Sequence, residues 1–471
     1  MKKILFILSF TLLSFAQTTS DGLRLSYQGL GYSPRSIGMG NAFNSVSDDY
    51  SAFFFNPAGL GLIKKQEFSF GLDSYTFNNK VKFFNTQTTS DLNNINLSNI
   101  TYVYPFPTIR GSFVLGLSYN INKDFTEINK HRSINPNSTY ISYLTKNLSD
   151  TTDIPYFLIL RPKNSPSPLT KDLLQTIDNR KDGNLRSLSV AGSLEIDKDL
   201  FFGIDIDFIN GNYKQSNSFK EEDINGIYSG ITLDPSDPKS TNFNNFIMEK
   251  QTKWNLAATS FKFGLLYQLK NIARFGFTLG LPTKYEIEEN YSENANAVFN
   301  NIPLKYPYQY TDKVKYSIIT PYNITISAST FKFNTLFALD LKYIDYSKIE
   351  IENKEGLSQD FVKKYNDKII NELQSVYDIN IGAEHHIYDI GLRLRAGFIT
   401  QNSAYKSDNS TFNKKFVTFG FGYSLTDYTS FDFGYVYGWW KDIGDNYGSN
   451  LSRNYQDVTY KVLKIGISTR F

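Results

Sequence analysis

The sequence predicts an all-β chain: a 14-stranded antiparallel transmembrane β-barrel with an N-terminal hatch, or plug, in its lumen. Three observations predict it. Apolar residues alternate strictly with polar or small ones through the C-terminal segment, fourteen segments follow that grammar, and the connections between them alternate between short and long. An even strand count, with short turns at one end and long loops at the other, is what a single-chain bacterial barrel requires. A soluble sandwich has no reason to sort its loops in this way.

Residues 1–16 come first. Lys2 and Lys3 precede an apolar run from Ile4 to Ala16, too short to span a bilayer and ended by polar Gln17 to Asp21. A positive head, a short apolar core and a small residue at its end make an export signal cleaved near Ala16. Residues 17–65 form the expected hatch. They do not alternate, and they are rich in glycine, with Asn56-Pro57 favouring a turn. Irregular backbone is tolerated at membrane depth when protein surrounds it.

The barrel follows, from residue 66 to 471. Its expected strands are Gln66–Phe77, Asn94–Tyr104, Arg110–Ile121, Leu185–Ile196, Phe201–Asn212, Trp254–Gln268 and Ala273–Ile287. Tyr316–Ser329, Phe331–Tyr346, Gln374–His385, Ile390–Thr400, Lys415–Leu425, Thr429–Trp440 and Val458–Phe471 complete the set. The last is the clearest. Leu463, Ile465, Ile467, Thr469 and Phe471 share one face, and Val462, Lys464, Gly466, Ser468 and Arg470 share the other, so one side suits lipid and one a polar lumen. Tyr423, Tyr437 and Trp439 fall on outward faces as interfacial anchors. Of the long loops, Leu357–Leu373 shows helical spacing of its apolar residues, and Pro155–Asp178 suggests a lid segment.

Composition closes off other classes. With 49 Lys+Arg against 46 Asp+Glu the 471-residue chain is nearly balanced, too even for a nucleic-acid partner. Zero cysteines excludes disulfides, thiolate metal sites and cysteine nucleophiles. The 33 Tyr and 39 Phe exceed what a soluble core needs, whereas a mean hydropathy of −0.35 is far from a helical membrane protein.

The hatch carries a resemblance. Gly38, Gly40 and Ala42, then Ser47-Asp48-Asp49, Ser51-Ala52 and Asn56-Pro57-Ala58-Gly59-Leu60, resemble the FadL-type outer-membrane transporters of long-chain fatty acids and their aromatic-hydrocarbon relatives. Residues 261–267, Arg274-Phe275-Gly276 and Pro282-Thr283-Lys284-Tyr285 are similar to that family's mid-barrel hairpin, and with the terminal strand the likeness spans nearly the whole chain. The resemblance implies a passive transporter in the bacterial outer membrane that captures hydrophobic or amphipathic small molecules at its loops. They would pass to a hatch-gated pocket and leave sideways through a kinked third strand. That strand would be Arg110–Ile121, with Gly111 or Gly116 permitting the kink.

On this reading Gly38, Gly40, Asp48, Asp49, Asn56, Pro57, Ala58 and Gly59 form the hatch or gate. Met39, Phe43, Phe53 and Phe55 are candidates for a ligand wall or for plug packing. Arg393 and Arg395, neighbours on one inward face, are candidates for forked hydrogen bonds to a ligand carboxylate, or members of a lumen ion-pair network. The expected partners are the hydrophobic ligand and outer-membrane lipid, around a monomer. No cofactor or metal is expected. Neither is catalysis: His131 lies in a long loop, and His385 and His386 at a periplasmic turn. A rival reading is an attachment or shuttle factor of type nine secretion, which would show a docking surface and no apolar pocket. An open polar porin is the other, and a plug argues against it.

Overall fold

The computed structural model describes residues 18–146, 154–163, 165–270, 272–307, 310–448 and 450–471. The expected export signal, residues 1–16, lies outside them. In chain order the helices are α1 (Thr18–Ser26), α2 (Pro34–Gly38), α3 (Tyr140–Lys146), α4 (Ile154–Phe157) and α5 (Gln359–Glu372). The strands begin with β1 (Glu67–Phe83), β2 (Thr86–Phe106), β3 (Phe113–Asp124), β4 (Glu127–Asn135), β5 (Leu173–Asp197), β6 (Leu200–Glu222) and β7 (Phe243–Leu269). They continue with β8 (Ala273–Gly280), β9 (Lys284–Phe299), β10 (Ile302–Lys305), β11 (Tyr310–Ile319), β12 (Asn323–Lys332) and β13 (Thr335–Asp345). The last are β14 (Glu350–Glu355), β15 (Ser375–Ile387), β16 (Leu392–Gln401), β17 (Lys414–Ser424), β18 (Thr429–Asp445) and β19 (Arg453–Arg470).

Fourteen of these strands close a ring. β1 pairs β2, β2 pairs β3, and β3 pairs β5; β5, β6, β7 and β8 follow in turn, then β12, β13, β15, β16, β17, β18 and β19. β19 returns to β1 over sixteen registered pairs, Glu67↔Arg470 to Lys82↔Tyr455, so no edge is left. Both ends of the wall meet at one rim, where Gln66 and Phe471 exchange backbone hydrogen bonds at 3.1 and 3.0 Å. That rim, with its short turns, is the periplasmic one.

The alternation read from the sequence sorts as expected. Phe70, Leu115, Leu194, Phe277, Leu339, Ile381, Phe419 and Ile467 are exposed on the outside, forming an apolar belt a soluble protein would not tolerate. Inside, Lys464 and Asp73 are buried and paired with each other.

Several boundaries differ. β5, β6 and β7 run ten to twelve residues beyond their expected outer ends, because strands paired on both sides need no apolar face once in water. The apolar Leu173, Leu174 and Ile177, read as lid, belong to β5. The expected first loop between Phe77 and Asn94 is a two-residue hairpin at Phe84-Asn85, both strands continuing to it. The expected turn at Thr330 lies at Phe333-Asn334, both at positive φ. The seventh and eighth strands, each expected continuous, are broken at Leu281–Thr283 and at Thr320–Tyr322. Pro282 and Pro321 cause this, since proline donates no ladder bond. The expected amphipathic helix is α5, with Tyr365 and Ile369 buried against the rest of the outer cap.

Candidate functional site

Residues 27–63 pack across the lumen. Three short turns build them, each started by a side-chain cap. Ser33 accepts from Ser36 N ahead of α2, Asp49 from Ser51 N at 2.8 Å, and Asn56 from Ala58 N at 3.1 Å. Asn56 also fastens the plug to the wall, its Nδ2 donating to Asn44 O and, in β7, to Leu265 O. Wall glycines make the close approach possible. A Cβ on Gly264 would lie 2.0 Å from Asn56 Oδ1, and one on Gly203 would lie 2.3 Å from Ala58 N. Gly40, at φ +61°, is pressed the same way against Gly397. Gly38 meets Arg395 and Gly420, and Gly59 meets Ser47.

The periplasmic face of the hatch is an ion-pair cage. Arg35 holds Glu384 of β15 with two parallel bonds of 2.9 Å, and its other nitrogen reaches Asp48 at 2.6 Å and Asp49 at 3.0 Å. Arg395 joins the same Glu384 at 2.6 Å and pairs with Asp432 at 2.7 Å. Arg274 reaches Asp48 at 2.9 Å, and Arg470 pairs Glu67. Burial alone would raise Asp48, but the Arg35 and Arg274 guanidiniums outweigh it and hold the carboxyl well below the usual range. Arg393 and Arg395 thus lie on this side. Arg393 lines a cavity of about 520 Å³ at the periplasmic mouth, together with Arg35, Asp48 and Arg274.

The other face is different. A cavity of about 130 Å³ lies between the hatch and the outer cap, bounded by Leu25, Tyr27, Tyr32, Phe53 and Phe54 on the hatch side. Leu185, Ile209, Leu281, Tyr285 and Ile344 supply the apolar part of the wall, and Asn120, Ser189, Asp207, Ser260 and Asn323 the polar part. A smaller one of about 50 Å³ adjoins it past Phe54 and Lys262, and Phe55 lines that. Three lysine side chains stand around them. Lys262 Nζ donates to Phe53 O at 2.8 Å with Asp205 at 3.4 Å; Lys123 Nζ donates to Tyr27 O at 2.6 Å and to Arg24 O; Lys342 Nζ donates to Gln28 Oε1 at 3.1 Å. Among the described residues no carboxylate pairs with Lys123. Above the cavity, α1 packs Gly22 against Ile349 and Tyr365, and Arg24 stacks over the Tyr213 ring at 4.2 Å.

The residues expected to hold ligand therefore divide. Phe53 and Phe55 line the two cavities, Met39 and Phe43 are wholly buried in plug packing, and the two arginines stand across the hatch from them. Gly111 lies in the exposed β2–β3 turn at φ +77°. Gly116 sits mid-ladder opposite Val103, against Phe53. The irregularity in β3 is higher, a bulge at Asn122 where the register with β5 shifts. The β2–β3 ladder stops at Asn99↔Asn120, and beyond it Asn94 and Asn96 donate side-chain bonds of 2.8 and 3.1 Å to Asp124. Gly29 of the hatch lies against this place, where a Cβ would be 2.0 Å from Asn122 O.

A family model described as Outer membrane protein transport protein (OMPP1/FadL/TodX) matches residues 175–468, more than half of the chain. The chain belongs to this family. Its localisation is accordingly the bacterial outer membrane, and its relatives are hydrophobic-compound transport channels, not enzymes. A FadL homologue of Pseudomonas aeruginosa has the same fold, at 12% identity and a TM-score of 0.55, over 93% of this chain and 98% of its own. The P. putida toluene transporter TodX is similar at 14% and 0.55, over 94% and 99%. The CymD monoaromatic hydrocarbon channel aligns at 13% and 0.50, over 94% and 98%. No curated protein sequence matches. The secretion-factor reading finds no support among these relatives.

Sequence reasoning missed Lys123, Lys262, Tyr27 and Tyr32. Lys262 was within reach, an inward lysine between the outward Phe261 and Phe263. Lys123 was not, because the bulge at Asn122 resets the alternation that would have placed it.

Proposed function

We propose that this family member carries hydrophobic and amphipathic small molecules passively through the outer membrane, long-chain fatty acids foremost. Ligands enter from the loops, settle above Phe53 and Phe54, and leave sideways into lipid where the third strand loses its ladder to β2 beyond Asn120. The observation that carries this reading is one cavity floored by the hatch aromatics Phe53 and Phe54, lined on its wall by apolar and polar side chains together, and touching that seam. Lys123 and Lys262 favour an anionic head, since a carboxylate can replace the backbone carbonyls they now bind. Lateral exit needs no energy source, because each methylene entering lipid gains about 0.8 kcal/mol over water. The export signal over 1–16, the hatch over 17–65 and the barrel over 66–471 are the working divisions, in a monomer. The gate is the plug segment from Gly38 to Gly59.

A second reading is a neutral arene. The cavity of about 130 Å³ is close to the ~150 Å³ that holds one benzene in an engineered apolar site. Binding of palmitate, methyl palmitate and toluene to the purified protein separates the two. Palmitate bound at least ten-fold more tightly than its ester supports the acid reading, equal affinity supports a neutral cargo, and no binding of any of them rejects both.

A further inference from the structure

The cavity touches the wall at a second weak place, far round the ring from β3. Leu281, Thr283, Thr320 and Pro321 line it where β8 gives way to β9 and β11 to β12. Three successive seams lose their ladder there. Between β7 and its neighbour, pairing stops at Lys262↔Gly280 and resumes at Ala257↔Glu286. In between, Ala258, Thr259 and Ser260 are paired by β6, and Leu281 N donates to Phe261 O across the gap at 3.0 Å.

On the next seam Asn323↔Gly280 and Ile319↔Lys284 bracket the gap. Thr320 N to Thr283 O and Thr283 N to Thr320 Oγ1, each 3.0 Å, hold it. On the third, Asn323↔Ile344 and Ile319↔Glu350 bracket another. The β6–β7 seam, by contrast, is registered without a break from Leu200↔Tyr267 to Glu222↔Asn245.

The two weak places differ in chemistry. At β3 the missing ladder is bridged by the Asn94 and Asn96 amides, which donate to Asp124 and can turn to a passing carboxylate, with Lys123 beside them. At the second, the gap itself holds Leu281, two prolines and the uncharged Thr283 and Thr320, its charged neighbours Lys262 and Lys284 lying in the ladders on either side. Phe261 and Tyr322 are exposed on its outer side, toward lipid. Proline supplies no donor, so opening this seam leaves fewer stranded backbone groups in hydrocarbon than opening an ordinary ladder.

We propose that the wall has a second lateral exit, at the seam framed by Pro282 and Pro321, that passes neutral apolar molecules, while anionic amphiphiles leave at the third strand. The proposal rests on the transport reading above.

The chain has no cysteine, so paired cysteines can lock each exit reversibly. Thr283→Cys with Thr320→Cys locks the proline seam, and Asn94→Cys with Asp124→Cys locks the third strand. Uptake of labelled toluene and palmitate is followed in cells lacking other carriers for them, before and after reduction. Locking 283–320 should cut toluene uptake at least five-fold, restored by reductant, and leave palmitate within two-fold; locking 94–124 should do the reverse. Should that bond fail to form, Pro282→Val with Pro321→Val returns the two missing donors and should lower toluene uptake alone. Toluene uptake unchanged by the 283–320 lock and by the paired valines, or lost with the 94–124 lock alone, overturns the second exit. If the unlocked protein takes up neither probe, the transport reading itself falls, a distinguishable result.

Discussion

The two faces of the hatch are held by different chemistry. Below, cations meet anions: Arg35 and Arg395 share Glu384, Arg274 and Arg35 share Asp48, and Asp432 completes the set. Above, lysines meet backbone: Lys123 and Lys262 donate to the carbonyls of Arg24, Tyr27 and Phe53, and among the described residues only Lys262 of the two has a carboxylate, Asp205, at 3.4 Å. A buried ion pair that loses one partner leaves an uncompensated charge, at a cost of roughly 3–5 kcal/mol. A lysine exchanging a carbonyl for a ligand carboxylate loses nothing comparable. The plug is thus latched on the periplasmic side and exchangeable on the cavity side, so a ligand arriving from the loops meets the side that can yield.

Removing the plug is the largest perturbation. Deletion of Gln17–Gly61 should convert a barrel of almost no conductance into one with large steady currents in planar bilayers. Conductance left unchanged would show that the segment does not block the lumen. Next is the latch. Glu384→Gln removes the carboxylate that Arg35 and Arg395 share, leaving them Asp48, Asp49 and Asp432, and should lower unfolding stability in detergent by less than the roughly 3–5 kcal/mol of a fully stranded charge, with bursts of open-channel current. Arg395→Ala should act in the same direction without altering the preference for palmitate over its ester. A change in that preference would return Arg395 to the ligand.

The cavity side should respond chiefly in binding preference. Lys123→Met is expected to weaken palmitate by roughly 1.5–3 kcal/mol, about ten-fold or more, and to leave methyl palmitate alone. The smallest expected effect is on the outer cap. Burial pushes the His131 imidazole down to about 4 from 6.5, so the folded cap disfavours its protonation. The unfolded chain then binds more protons between those values, and stability falls as pH drops through that window. His131→Asn should flatten the dependence, measured as thermal unfolding of the outer loops against pH.

How much of this could be read from sequence follows from where lipid imposes a pattern. Strands such as β18 and β19 were legible because hydrocarbon demands an apolar residue at every second position, and the Asn56-Pro57-Ala58 turn because its cap chemistry is local. The tall polar extensions of β5, β6 and β7 were not, since water imposes no such alternation. Nor was the sorting of charges. Arg393 and Arg395 look alike in sequence, and only the fold shows Arg395 on Glu384 beside Arg35 while Arg393 donates to Ser430. Pro282 and Pro321 were visible as letters, but their alignment on neighbouring strands needs the register.

Mass spectrometry of what co-extracts with the protein from outer membranes in mild detergent tests the central claim most directly. The wild type is compared with Ile209→Trp, whose ring fills the cavity above the hatch. Fatty acids or hydrocarbons enriched in the wild type and absent from the variant are the predicted result. No enrichment, or the same enrichment in both, would contradict the account.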